Sequence, residues 1–128
     1  MKKIILDTNF LLIPAQFRVD IFEEIRQLMQ EPYELYVVDA TLDELDKLQF
    51  DASGRDKSAA ALAKQLIGKK GVKTLKTEKH LNTDKLIVEL AKSPDYLVAT
   101  QDKELKGILK ENNVQLIVLR QKKHLKLY

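Results

Sequence analysis

The chain has no cysteine, only four glycines and three prolines, and no long hydrophobic run. Without cysteine, disulfides and thiolate metal sites are excluded. Four glycines leave no Walker loop and no GxGxxG fingerprint, so the common nucleotide cradles are missing. No segment is long and apolar enough to span a membrane. The start, Met1-Lys2-Lys3-Ile4, is too briefly apolar for a signal peptide, which gives a cytoplasmic protein by default. No serine sits on a strand-to-helix elbow with a base nearby. The two histidines, His80 and His124, lie in basic segments and are read as exposed.

What is present is a chain of 128 residues, one domain by length, with 45% hydrophobic residues to build a core. The net charge is only +3, but it is unevenly spread. Residues 31–51 carry seven acids against Lys47 alone. Residues 64–80 carry six lysines, at 64, 69, 70, 73, 76 and 79, against Glu78. The ending has Arg120, Lys122, Lys123 and Lys126 without an acid. An acidic pole beside basic flanks suits an enzyme acting on a polyanion. A solvated lysine-rich surface is the plainer alternative.

Hydrophobic periodicity alternates between strand and helix. Lys3 to Leu6, Leu35 to Val38, Tyr96 to Thr100 and Gln115 to Leu119 read as strands, with a weak one at Val72 to Leu75. Helices are expected over Asp20 to Gln30, from Leu42 to near Phe50, over Ala59 to Ile67, Asn82 to Lys92 and Lys103 to Glu111. This order predicts an α/β fold, a three-layer α/β/α sandwich around a central parallel sheet. Phe10, Phe17, Phe22 and Phe50 are assigned to the core rather than to base stacking.

Four acids fall where such a sheet places a site. Asp7 ends the run Ile4-Ile5-Leu6, Glu44 lies just past Val37-Val38, Asp84 opens an amphipathic helix, and Asp102 follows Tyr96-Leu97-Val98-Ala99. In open parallel sheets, ligands bind beyond the carboxyl ends of the strands. Carboxylates gathered there repel one another unless a hard cation holds them. Divalent-metal phosphodiester chemistry is the leading reading. Each acid also has an ordinary explanation. Asp7 and Asn9 suit a turn, and Glu44 suits a helix dipole, with Asp43 in competition for its role. Asp84 sits behind the caps Asn82 or Thr83, and Asp102 behind Thr100 as a possible cap. The joint placement at one sheet edge is what points to a site.

At Asp7-Thr8-Asn9, Glu44, Asp84 and Thr100-Gln101-Asp102 the chain resembles the PIN-domain family over essentially its whole length. The resemblance implies a ribonuclease in which Asp7, Glu44, Asp84 and Asp102 hold Mg²⁺ or Mn²⁺, with Thr8, Asn9 and Thr100 as supporting polar residues. The segments from Asn9 to Phe17 and from Leu119 to Lys123 are similar to the archaeal branch related to the small-subunit processome nuclease. That branch is implicated in ribosomal RNA processing, and its members are often labelled VapC-type toxins. The implied partner is RNA, with an antitoxin if the toxin reading holds. RNA phosphates are assigned to Lys69, Lys70, Lys73, Arg120, Lys122, Lys123 and Lys126. A PIN-like module that binds RNA without cutting it is the rival, and a phospho-acceptor receiver domain is less favoured because Asp7-Thr8-Asn9 offers a single acid. Two departures stand out. Asn82-Thr83-Asp84-Lys85 replaces a common Ala-Asp-Asp pattern, leaving the site one carboxylate poorer. Thr-Gln-Asp replaces Thr-Asn-Asp. A homodimer is also implied, with the apolar run Phe10 to Ile13 as its candidate contact, unless that run seals the core instead.

Overall fold

Alternating side chains along the strands divide the apolar residues between two faces, and the helices follow that division. A computed structural model describes residues 1–78 and 81–128. Lys79 and His80, one of the expected lysine run and one of the histidines read as exposed, lie outside the described residues. Strand β1 (Lys2–Leu6) is followed by α1 (Thr8–Leu11), α2 (Ile13–Phe17) and α3 (Ile21–Leu28). Next come β2 (Tyr33–Val38), α4 (Asp39–Asp51), α5 (Arg55–Lys69) and β3 (Lys73–Leu75). Then follow α6 (Thr83–Leu90), β4 (Tyr96–Ala99), α7 (Lys103–Glu111), β5 (Gln115–Arg120) and β6 (His124–Leu127).

The strands form one sheet in the order β3-β2-β1-β4-β5-β6. All neighbours are parallel except β5 and β6. Ile4, Leu6, Val37, Leu97, Ala99 and Ile117 face one helical layer, formed by α1 to α5. Ile5, Val38, Val98, Leu116 and Val118 face the other, formed by α6 and α7. The period of two along each strand thus builds the three-layer α/β sandwich. After β1 the chain crosses to β2 and β3 on one side, then returns to β4 on the other. The order therefore reverses between β1 and β4, the place where such sheets open a crevice.

Side-chain caps set several helix starts. Asp20 Oδ1 accepts from Glu23 N–H at 3.1 Å, and Asn82 Oδ1 accepts from Lys85 N–H at 2.9 Å. These caps place the first helical residue one position later than the periodicity suggests. At the turn between α4 and α5, Gly54 takes a φ of +61°, a left-handed conformation that costs glycine little. No helix among the described residues is long and apolar enough to cross a membrane.

The structure adds one strand to the reading of the sequence, decides one open alternative and corrects one assignment. The added strand is the basic ending: its alternation buries Leu125 and lays β6 antiparallel on β5, beside the otherwise parallel sheet. The Phe10–Ile13 run folds into α1 and α2, with Phe10, Leu11 and Ile13 almost wholly buried, so of the two readings left open it is the one that seals the core. Phe50 is 77% exposed at the end of α4 and is not a core residue. Phe10 and Phe22 are buried, and Phe17 packs at the margin of the same core.

Candidate active site

The end of β1 delivers Asp7 into the crevice at the switch point. Asp7 caps α1, and its Oδ1 accepts the Thr8 N–H at 2.9 Å. Its Oδ2 accepts the Thr100 hydroxyl at 2.7 Å, from just past the end of β4. Asp7 is only 4% exposed and Thr100 is fully buried. Burial pushes the Asp7 carboxyl up to about 6; the bonds from Thr100 and Thr8 oppose this, and the charges of Asp84 and Glu44 add to it. The desolvation outweighs two good hydrogen bonds, so the site holds a carboxylate that its surroundings leave short of positive charge.

Glu44 reaches the same place from α4. Its Oε1 accepts the Thr83 hydroxyl from the start of α6 and lies 3.3 Å from the Thr8 hydroxyl. Thr8 is in turn 3.2 Å from the hydroxyl of Thr41, which is fully buried one turn before Glu44. Of the two α4 acids in competition, Glu44 is the one these threonines hold. Asp84 follows Thr83 in the first turn of α6. Burial raises its pKa, and the charges of Asp102, Glu44 and Glu104 raise it further.

Asp102 is itself the cap of α7, its Oδ1 accepting the Leu105 N–H at 2.8 Å. The expected cap, Thr100, instead accepts the Asp102 N–H at 3.0 Å while donating to Asp7. Asn9 Oδ1 accepts the Gln101 N–H at 3.2 Å, and Gln101 Oε1 accepts the Leu119 N–H at 3.0 Å. The loop after β4 is thereby tied to α1 and to β5. Asp7, Glu44, Asp84 and Asp102 are thus brought near one another, each within electrostatic reach of at least one other. Sequence reading gave Thr41, Thr83, Gln101 and Glu104 no role in the site. Thr41 could have been found as the residue one turn before Glu44 on its helix, and the others as immediate neighbours of the acids.

The donor set is entirely oxygen, which suits a hard divalent ion such as Mg²⁺ or Mn²⁺. The raised carboxyls at Asp7 and Asp84 are the signature of repulsion and desolvation that a cation would relieve. In donor type and charge the residues fit such an ion. Their side chains are spread: among the described residues no three acidic or imidazole groups are gathered closely enough to hold an ion as they stand. Mg²⁺ takes only one or two protein carboxylates and fills its shell with water and substrate oxygens, so a spread set is compatible with it.

The basic residues separate into two places. Lys69 ends α5, and Lys70 lies over the Phe22 ring at 5.9 Å. Lys73, on the edge strand β3, is paired with Glu34 and lies 6.0 Å from the Tyr36 ring. Arg120, Lys122, Lys123 and Lys126 are exposed at the opposite edge, on β5, β6 and the turn between them. That turn lies beyond the carboxyl end of β5, the edge at which Asp7 and Asp102 also emerge. Lys122 Nζ is 5.8 Å from the Phe17 ring and Arg120 is 5.6 Å from the Tyr128 ring.

Comparison with known proteins gives the family and the fold. A family described as a PIN-like domain matches residues 4–122. Ribonuclease VapC4 of Methanocaldococcus jannaschii is 31% identical over 130 residues, spanning 100% of this chain and 98% of that protein. The structure of the PIN domain endonuclease Utp24 superposes with a TM-score of 0.79 at 24% identity, covering 98% of this chain and 90% of the other. A domain of a functionally unknown protein from Methanocaldococcus jannaschii superposes at 0.64 with 14% identity, covering 94% and 92%. These two superpositions speak to the fold.

Proposed function

Because the chain belongs to the PIN-like domain family, we propose that it is a metal-dependent endoribonuclease acting in the cytoplasm. The observation that carries this reading is Asp7 at the sheet's switch point, its ionisation opposed first by its burial and then by the charges of Asp84 and Glu44. The relation to a protein named as a ribonuclease supports it. Asp7, Glu44, Asp84 and Asp102 would hold Mg²⁺ or Mn²⁺. When bound, such an ion activates water and neutralises charge on the scissile phosphate.

The chain's own residues prepare that chemistry. Thr100 orients Asp7 through Oδ2 and fixes the backbone of Asp102 at the same time. Thr8 and Thr83 orient Glu44. Asn9 and Gln101 hold the loop after β4 against its neighbours. Arg120, Lys122 and Lys123 bring positive charge to the same sheet edge, where an RNA backbone would be held chiefly through its phosphates. Lys69, Lys70, Lys73 and Lys126 are assigned the same role at greater distance.

The test is cleavage of a mixed RNA pool with Mn²⁺, with Mg²⁺ and with EDTA, beside Asp7→Asn. Binding without cleavage under every metal condition would leave an RNA-binding module instead. For substrate we favour ribosomal RNA precursors, on the resemblance carried by the segments from Asn9 to Phe17 and from Leu119 to Lys123. Sequencing RNA crosslinked to the protein in its native cells tests this. The relation to Ribonuclease VapC4 favours a toxin as second reading. An adjacent reading frame encoding a protein that binds and silences this one would decide for it. A homodimer would have to use a face other than the buried Phe10–Ile13 run, and sedimentation at micromolar concentration measures that directly.

A further inference from the structure

Thr83 stands where the resembled pattern has an acid, yet its hydroxyl is spent on the site. It donates to Glu44 Oε1, across 39 residues of sequence. Thr8 approaches the same oxygen at 3.3 Å from another element. Both threonines therefore engage one oxygen of Glu44, and Oε2 has no hydrogen-bond partner among the described residues. A carboxylate clipped in this way has one oxygen left for a cation. Releasing the clip lets the group turn and present both. That difference matters for ion choice. Ca²⁺ takes six to eight oxygens and readily accepts both oxygens of one carboxylate, whereas Mg²⁺ requires near-octahedral geometry with fewer protein ligands.

We propose that Thr83 is a specificity-determining residue: with Thr8 it holds Glu44 as a one-oxygen ligand and so biases the site toward small octahedral ions and against Ca²⁺. This rests on the metal-binding reading given above. Asn82 supplies the side-chain cap of α6, so removing the Thr83 hydroxyl leaves that cap in place. The hydroxyl also does what an acid at position 83 could not. An additional carboxylate would add charge and a ligand, while a hydroxyl orders the existing ligand without either.

The experiment is direct binding of Mn²⁺, followed by electron paramagnetic resonance, with Ca²⁺ as competitor. Thr83→Val keeps the side-chain shape and removes the donor, Thr83→Ala is a second variant without a donor, and Thr83→Ser restores one. In both variants lacking the donor, Ca²⁺ should displace Mn²⁺ at a concentration roughly threefold to tenfold lower than in the parent, the scale of a partly exposed bond to a charged group. Thr83→Ser should return to the parent value. An unchanged Ca²⁺-to-Mn²⁺ ratio in both variants, with Mn²⁺ still bound, would overturn the role of Thr83 alone. A parent protein that binds no Mn²⁺ would overturn the metal reading itself, and this inference with it.

Discussion

Replacing Asp7 by Asn should make the metal-free protein more stable at neutral pH while ending its activity. The unfolded chain titrates an aspartate at about 3.9. In the fold, burial pushes Asp7 up to about 6, against the opposing bonds from Thr100 and Thr8. A folded pKa above the unfolded one means that the fold prefers the protonated acid. Stability is then fully present below about pH 4 and is lost as pH rises through about 6. A rise from about 3.9 to about 6 corresponds to about 3 kcal/mol at pH 7. Asparagine removes the charge and keeps the oxygen that accepts the Thr8 N–H. It loses the acceptor for Thr100, which costs about 1 kcal/mol. The net gain is about 1 to 2 kcal/mol, or about 3 to 8 °C in melting temperature for a chain of this size.

The assay is thermal and urea unfolding of both proteins in EDTA from pH 7 to pH 4. The advantage of Asp7→Asn should be largest at pH 7 and vanish or reverse by about pH 4, where the parent's Asp7 is already protonated. Added Mn²⁺ should reverse the order at pH 7, since a ligand at a hundred times its Kd contributes about 2.7 kcal/mol to the protein that binds it. An Asp7→Asn protein less stable than the parent at pH 7 in EDTA would show that Asp7 serves the fold rather than a cation. A pH-independent difference would refute the electrostatic account.

Thr100→Val removes the donor to Asp7 Oδ2 and the acceptor for the Asp102 N–H; it should lower stability by about 1 to 3 kcal/mol at pH 7 and by less at pH 4, read from urea midpoints. Replacing Lys122 and Lys123 together with Gln should weaken binding to unrelated single-stranded RNAs alike and flatten the salt dependence by less than about 1.5 units, measured by titration at several ionic strengths. Phe10→Ala empties a fully buried position in α1 and should cost about 3 to 5 kcal/mol in calorimetric or chemical unfolding.

Much of this fold was legible because its strands are short apolar runs and its helices carry one apolar face. Ile4-Ile5-Leu6 and Leu97-Val98-Ala99 are buried on both sides, as parallel strands between helical layers must be. Where sequence reading failed, the local signal was ambiguous. Phe10 to Ile13 is apolar without a period, and the chain breaks it into two short helices with Pro14 in the first turn of the second. His124-Leu125-Lys126-Leu127 alternates as a strand should, but over four residues and with its polar positions basic, so charge masked the period. The site divides in the same way. The placement of its candidate acids was legible because topology alone puts strand ends and helix starts at one edge. Its threonines were not, because a hydroxyl declares its task only through a partner distant in sequence, as Thr83 does with Glu44. The two departures from the resembled motifs therefore have a structural meaning. Gln101 reaches β5 through its side-chain oxygen while its backbone stays tied to Asn9, and Thr83 orders Glu44 in place of adding a charge. Both substitutions add connections around the carboxylates without adding to their repulsion, which is what a site with Asp7 already pushed up to about 6 can accommodate.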